Sequence, residues 1–317
     1  MFPYRLFFVC LILLACVPGC RPEAPREPLV EPEPSPVPSE EVSTATEVVA
    51  WVEQQGGRSR LDDHGRLVLV DLTDADITGD DLERLADQQY LRNVRLTRCP
   101  VDDDGLQHLI NLPRLVALGL DFTQVTDQGL QQVAEIQTLE EVYLAGTAVG
   151  DRGAASLAGL PKLRRVRLAG TEITDAALEQ LAQAPALQDL DISETAVTDA
   201  GMVHVAEMPE LNRLNLYTTA ISDQGLEPLQ ALGAQLLWLN LDNTRVTDAG
   251  LPRLQAFENL EFLHLGRNAI TDAGVEPLAE LQTLDTLHIT RTEVSEAGAA
   301  QLSEALPDCE IHWGDPG

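Results

Sequence analysis

Two residue types in this chain have the chemistry and the spacing to form a site. The first is aspartate beside a hydroxyl, in "TQVTDQGL" (123–130), "TAVTDAGM" (195–202), "TAISDQGL" (219–226), "TRVTDAGL" (244–251) and "NAITDAGV" (268–275). A carboxylate next to a hydroxyl and a glycine can be a piece of an active site, and a ladder of them about 5 Å apart could collect divalent cations. The second is histidine, at 64, 108, 204, 264, 288 and 312. A histidine pair could hold a metal, and His264 and His288 invite that reading.

Neither type comes with the rest of a catalytic centre. No nucleophile motif, metal-binding His/Cys spacing or phosphate-cradling glycine loop accompanies the histidines. Calcium wants several oxygens converging within one loop, which the aspartate phrase lacks. The phrase reads more simply as a helix start. Thr or Ser (Thr126, Thr174, Thr198, Ser222, Thr247, Thr271) precedes Asp, and an apolar helical residue follows three positions later. Oxygens there accept orphan N–H groups, and the aspartate charge suits the positive end of the helix dipole, at about 1 kcal/mol per cap.

The elements that carry these phrases repeat. Leucine stands at 67, 91, 115, 139, 163, 187 and 211, each 24 residues after the last, then at 236, 260 and 284. One extra residue falls in "ALGAQL" (231–236). After Leu236, apolar residues follow with spacing two (Leu239, Leu241) and later with spacing three (Leu251, Leu254, Phe257). A period that strict calls for a repeat architecture, each unit a short strand followed by a short helix.

A unit such as "LLWLNLDNTRVTDAGLPRLQAFEN" (236–259) resembles the leucine-rich repeat family. It is similar to the 24-residue subclass found in the cysteine-containing repeats of F-box proteins and in many bacterial envelope proteins. The resemblance covers residues 67–307, ten repeats, and implies an α/β solenoid: a horseshoe with a concave parallel sheet and short convex helices. No F-box precedes the repeats, so no ubiquitin-ligase role is carried over. Where the family usually has asparagine, eight positions after the first leucine, this chain has threonine in seven units and Asn268, Cys99 and Ala75 in the others. An inward threonine hydroxyl is expected to bond the backbone of the neighbouring turn.

A solenoid needs capped ends. Residues 42–66 are expected to cap the first, with a helix over 43–55 and a hairpin over 58–72 turning at Asp63–His64–Gly65. Residues 308–317 are expected to add a closing strand and tail, with Trp313 covering the core.

Upstream, "MFPYR" and the apolar run 6–16 read as an export signal (1–19), too short for a comfortable membrane span of roughly 20 residues. "VPGC" resembles a bacterial lipobox and implies lipid attachment at Cys20. An ordinary secretory signal is the alternative, and Cys16 closes a weaker lipobox. The Pro/Glu-rich stretch 20–41 reads as an extended tether reaching about 60 Å. Cys99 and Cys309 fall on rungs about 40 Å apart, beyond disulfide reach, and are expected as packed thiols.

The formal charge of −30, with Lys162 the one lysine, would repel a polyanion, so nucleic acid is not the expected partner unless a local basic patch overrides that field. In an LxxLxL strand the residues between the leucines face the concave solvent side. There the chain places aromatics (Phe122, Tyr143, Tyr217, Trp238, Phe262) and two arginine clusters, Arg92, Arg95, Arg98 and Arg164, Arg165, Arg167. Acids (Glu140, Glu141, Asp189, Asp191, Glu194) lie between and beyond them. The arginines either contact a ligand or only pair with these acids. His264 and His288 hold the same offset in successive units and should stand side by side. Tyr143, Tyr217, Trp238, Phe262, His264 and His288, with both arginine clusters, are the expected partner-binding residues.

The expected protein is a monomeric, non-catalytic, lipid-anchored component of a bacterial envelope. It binds a protein or peptide, without metal or cofactor. A glycan or peptidoglycan ligand, or a purely structural role, are the alternatives, and a hydrolase is a further rival.

Overall fold

The leucine period demands one strand per unit, and the structure, a computed structural model describing residues 39–315, has it. The strands are β1 (Arg58–Leu61), β2 (Leu67–Asp71), β3 (Asn93–Arg95), β4 (Ala117–Gly119), β5 (Glu141–Tyr143) and β6 (Arg165–Arg167). They continue as β7 (Asp189–Asp191), β8 (Arg213–Asn215), β9 (Trp238–Asn240), β10 (Phe262–His264), β11 (Thr286–Thr290) and β12 (Glu310–Gly314). One sheet holds them in chain order. β1 and β2 form the expected antiparallel hairpin, and every later pair is parallel.

Equal offsets pair because the period is constant. Leu239 lies opposite Leu263, and Leu263 opposite Leu287. The extra residue near 233 does not disturb this, since Leu214 still pairs with Leu239. It is absorbed ahead of β9 by a 3-10 turn, Gln230–Leu232. The central apolar residue of each strand from β3 to β11 is fully buried, together with the apolar face of the convex turns. Some convex turns are α-helical, as at Asp127–Val133 and Asp175–Leu181, and others are 3-10, as at Leu251–Ala256. At six or seven residues neither form has room to propagate.

Past each strand the backbone reverses through a left-handed residue. In the ten units this is Asp74, Arg98, Phe122, Gly146, Gly170, Glu194, Thr218, Asn243, Arg267 and Arg291, all with positive φ. Its N–H donates to the next unit's carbonyl, as Phe122 to Ala145 (2.7 Å) and Thr218 to Asp242 (3.0 Å). The inter-rung ladder thus extends beyond the strand, at a conformational cost that only the two glycines escape.

Of the threonines eight positions after the first leucine, Thr123, Thr147, Thr171 and Thr219 are buried and Thr195, Thr244 and Thr292 half-buried, and they bond differently from expectation. Thr147, Thr171 and Thr219 donate to the carbonyl three residues back in their own turn (2.6–2.7 Å), not to a neighbour. Asn268, one bond longer, reaches Leu241 at 2.7 Å, and the Cys99 thiol reaches Leu72 at 2.9 Å.

At the first end the helix α1 runs Ser39–Gln54, starting ahead of the expected 43, and buries Ala45, Val48, Trp51 and Val52. At the other end β12 forms as expected, but Trp313 does not cover the core. It lies in register with Ile289 yet stays 44 % exposed, while Ile311 and Cys309 pack against the last rung. Both cysteines of the described residues are free thiols, and burial pushes each up to about 11. Among the described residues no helix is long and apolar enough to cross a membrane. The signal, Cys20 and residues 20–38 of the tether lie outside the described residues.

Candidate recognition surface

Parallel register turns a residue type that recurs every 24 positions into a column of touching side chains. On the concave face of β9 and β10, Trp238 and Phe262 stack with ring centroids 4.7 Å apart and planes within 6°. From β8, Arg213 brings its guanidinium to 4.7 Å from the Trp238 ring centroid. Because β8 and β10 flank β9 on opposite sides, both faces of the indole are occupied, and only its edge meets solvent.

Two positions further along the strands lies a column of three imidazoles. His264 and His288 stand side by side, as expected, with centroids 4.7 Å apart. His312 of β12 stacks on His288 at 4.2 Å, with planes within 7°. Phe262 lies 5.4 Å from His288 and so joins the two columns. Burial lowers the basicity of His264. It does the same for His288, where the neighbouring His264 and His312 add to the effect. These rings favour the neutral form, in which each nitrogen pair offers one donor and one acceptor. His312 is not among the expected residues because it lies past residue 307, where the ten repeats end; its signal is its place one full period after His288.

Tyr217 connects to this surface through charge. Arg267 lies over its ring at 5.2 Å and bonds the carboxylate of Asp242, which sits 3.8 Å from His264 Nε2. Asp242 is almost wholly buried. The Asp242 carboxylate holds Arg267 in place from beneath.

The arginine clusters divide. Arg98 bonds Asp74 (2.8 Å), Arg165 bonds Asp189 (2.9 Å), and Arg167 lies 3.4 Å from Asp191. Arg164 donates to Gln188 (3.1 Å), and Arg95 approaches Asp71 only to 4.0 Å. Arg92 has no acidic partner among the described residues. Tyr143 donates its hydroxyl to Glu141 at 2.6 Å and accepts from Arg165 at 3.2 Å. Burial, reinforced by Glu141, raises its pKa. Between the clusters Gly119 leaves a depression, lined by Arg95, Arg98, Asp121, Tyr143 and Arg167.

Phe122 is apart from all of these. Its half-exposed ring lies over Gly146, so close that a Cβ there would meet it. Among the described residues no group of three or more His, Cys, Asp or Glu side chains is arranged to hold a metal.

The threonine–aspartate phrase resolves into scaffold with a role wider than expected. The hydroxyl caps its own turn, as Thr126 accepts from Gln128 N–H at 3.2 Å. The aspartate, however, reaches the following unit. Asp103 accepts from the N–H and hydroxyl of Thr126, Asp151 from Thr174, Asp199 from Ser222 and Asp248 from Thr271. The glycine of the phrase makes way for it: a Cβ on Gly225 would lie 2.5 Å from Asp199 Oδ1.

Comparison with known proteins agrees with this architecture. The family pattern described as Leucine Rich repeat matches residues 135–158 and 258–279. No curated protein matches the sequence. Among solved structures, an internalin (inlF) from Listeria monocytogenes is similar at 17 % identity, over 87 % of this chain and 91 % of that one, with a TM-score of 0.50. The ectodomain of the Arabidopsis receptor kinase HAESA, solved with a peptide hormone ligand, is 13 % identical over 80 % of this chain and 46 % of its own, with a TM-score of 0.57. A TDR receptor is 12 % identical over 78 % and 42 %, with a TM-score of 0.52. The likeness at these identities is one of fold.

Proposed function

On this leucine-rich repeat horseshoe, we propose that the concave face of β8–β12 binds a protein or peptide partner, without catalysis. The observation that carries the reading is the continuous stack from Arg213 through Trp238 and Phe262 to His264, His288 and His312. A rigid ladder of rings loses little side-chain entropy on binding, and its edges and ring nitrogens offer donors and acceptors at regular spacing. That pattern suits an extended polypeptide. A peptide is also the ligand in the HAESA complex, a protein of the same fold.

A glycan reader would present flat aromatic faces to sugar rings, whereas the faces of Trp238 are covered by Phe262 and Arg213. The same stack favours a peptide over peptidoglycan and over a purely structural role. The leader over 1–19, followed directly by Cys20, supports export and lipid anchoring in a bacterial envelope. Labelling with a palmitate analogue, lost in Cys20→Ser, tests the anchor.

The binding reading is tested by affinity capture from native envelope extract with mass spectrometry, comparing the wild type with Trp238→Ala/Phe262→Ala. A captured protein should disappear with the double variant. An unchanged set of captured proteins would remove this face as the site, and capture that survives protease treatment of the extract would point to glycan.

A further inference from the structure

A second site lies away from the aromatic ladder, beside the turn of the β1–β2 hairpin and the N-terminal ends of β2–β4. A cavity of 510 Å3 opens there, with Arg60, Arg66, Arg92 and Arg114 on its walls. Four guanidiniums face two carboxylates, Asp62 and Asp63. One of the two is already taken: Arg66 Nε donates to Asp62 at 2.7 Å, a bond that lowers the Asp62 pKa to about 2. Arg60, Arg92 and Arg114 have no acidic partner among the described residues.

Arg114 is nonetheless held, together with Arg66. The Tyr90 ring carries Arg66 at 4.3 Å and Arg114 at 4.7 Å from its centroid. Stacking on an aromatic face fixes the guanidinium plane, and for Arg114, unlike Arg66 whose fork is on Asp62, it leaves the N–H fork free for an incoming anion. The lining is also partly apolar, with Leu61, itself 42 % exposed, beside Val68 and Val116.

We propose that this cavity binds an acidic segment of a partner polypeptide, with carboxylates on the arginine forks and an apolar side chain against Leu61, Val68 and Val116. The volume is in the range that holds a ligand of several residues, larger than a single small anion needs. A compact oligophosphate would use the arginines and leave the apolar wall bare. The chain's overall charge of −30 does not decide the matter, because at physiological salt charges beyond about 8 Å are largely screened. Locally the arginines outnumber the acids. The site is independent of the ladder on β8–β12, so either can fail alone.

Fluorescence anisotropy on the full-length protein tests it, with a dye-labelled peptide alternating glutamate and leucine as the probe. Arg92→Ala/Arg114→Ala should weaken binding about tenfold or more, through the loss of two charge-assisted contacts. Trp238→Ala/Phe262→Ala should leave this binding unchanged. Replacing every glutamate of the probe by glutamine should abolish it, and added salt should weaken it. Equal binding of the glutamine peptide, or no loss in the arginine variant, would overturn the proposal. So would tripolyphosphate displacing the peptide while a glutamate–glycine probe binds as tightly as the glutamate–leucine one, because the apolar wall would then have no role.

Discussion

Asp175 of one repeat holds Thr198 of the next: its Oδ1 accepts the Thr198 N–H at 2.8 Å and its Oδ2 accepts the hydroxyl at 2.6 Å. The bond lies on the convex side, opposite the sheet, so each rung is fastened to its neighbour at both margins. In a solenoid, stability is the sum of unit terms and nearest-neighbour terms. This carboxylate belongs to the second kind.

Removing it should therefore uncouple two units. Asp175→Ala leaves the Thr198 N–H without its acceptor and is expected to cost about 2 kcal/mol in urea unfolding. Gly201→Ala should also destabilise, since its Cβ would lie 2.5 Å from Asp175 Oδ1. The two together should cost less than their sum, because removing the carboxylate leaves Leu178 Cδ1, at 2.7 Å, as the remaining close neighbour of the methyl group. Additive losses would show that Gly201 is there for another reason.

The left-handed column predicts a gain. Thr218 is β-branched at φ 55°, a conformation that costs an L-residue about 1–2 kcal/mol and that asparagine adopts more readily. Thr218→Asn should raise stability by about 0.5–1 kcal/mol. The opposite change, Gly146→Ala, meets both the positive φ and the Phe122 ring and should destabilise. Calorimetric midpoints moving the same way in both variants would refute the account.

The histidine column predicts a pH dependence. Burial lowers the folded-state pKa of His264 and His288, so the unfolded chain takes up protons first as pH falls. Their contribution is fully present above the unfolded value near 6.5 and is lost as pH drops through the lowered folded values. Urea midpoints should fall between neutral pH and pH about 5, and the fall should be shallower in His288→Gln, which cannot charge. An identical slope in wild type and variant would mean that other groups carry it.

The strand, the turn, the caps and the hairpin were legible because each is encoded locally. The leucines at 236, 239 and 241 bury one face of a strand whatever lies beside it, and Thr126 caps the turn that follows it directly. The face on which Trp238 and Phe262 meet was legible too, since a constant period makes neighbours of equal offsets. His312 is hidden only by its place beyond the last period-setting leucine, Leu284. Trp313 departs from expectation because alternation along β12 gives the side of the sheet, whereas cover depends on a further layer, and no further strand lies beyond β12 among the described residues.

Charge pairing was less legible. Arg98 and Arg92 look alike in the sequence, yet one is bonded to Asp74 and the other has no acidic partner among the described residues. The difference depends on side-chain reach across rungs and on a left-handed backbone at Arg98 itself. The aspartates show the same division. Their position at a helix start was readable, but the partner of Asp175 is a residue in the next unit, 23 positions on. By itself the sequence determined the repeat, the sheet and the exposed columns, because burial and hydrogen bonding within a turn act over a few residues. Which carboxylate meets which neighbour, and which arginines stay open to a ligand, was decided only when the rungs stacked, because those contacts exist only between units.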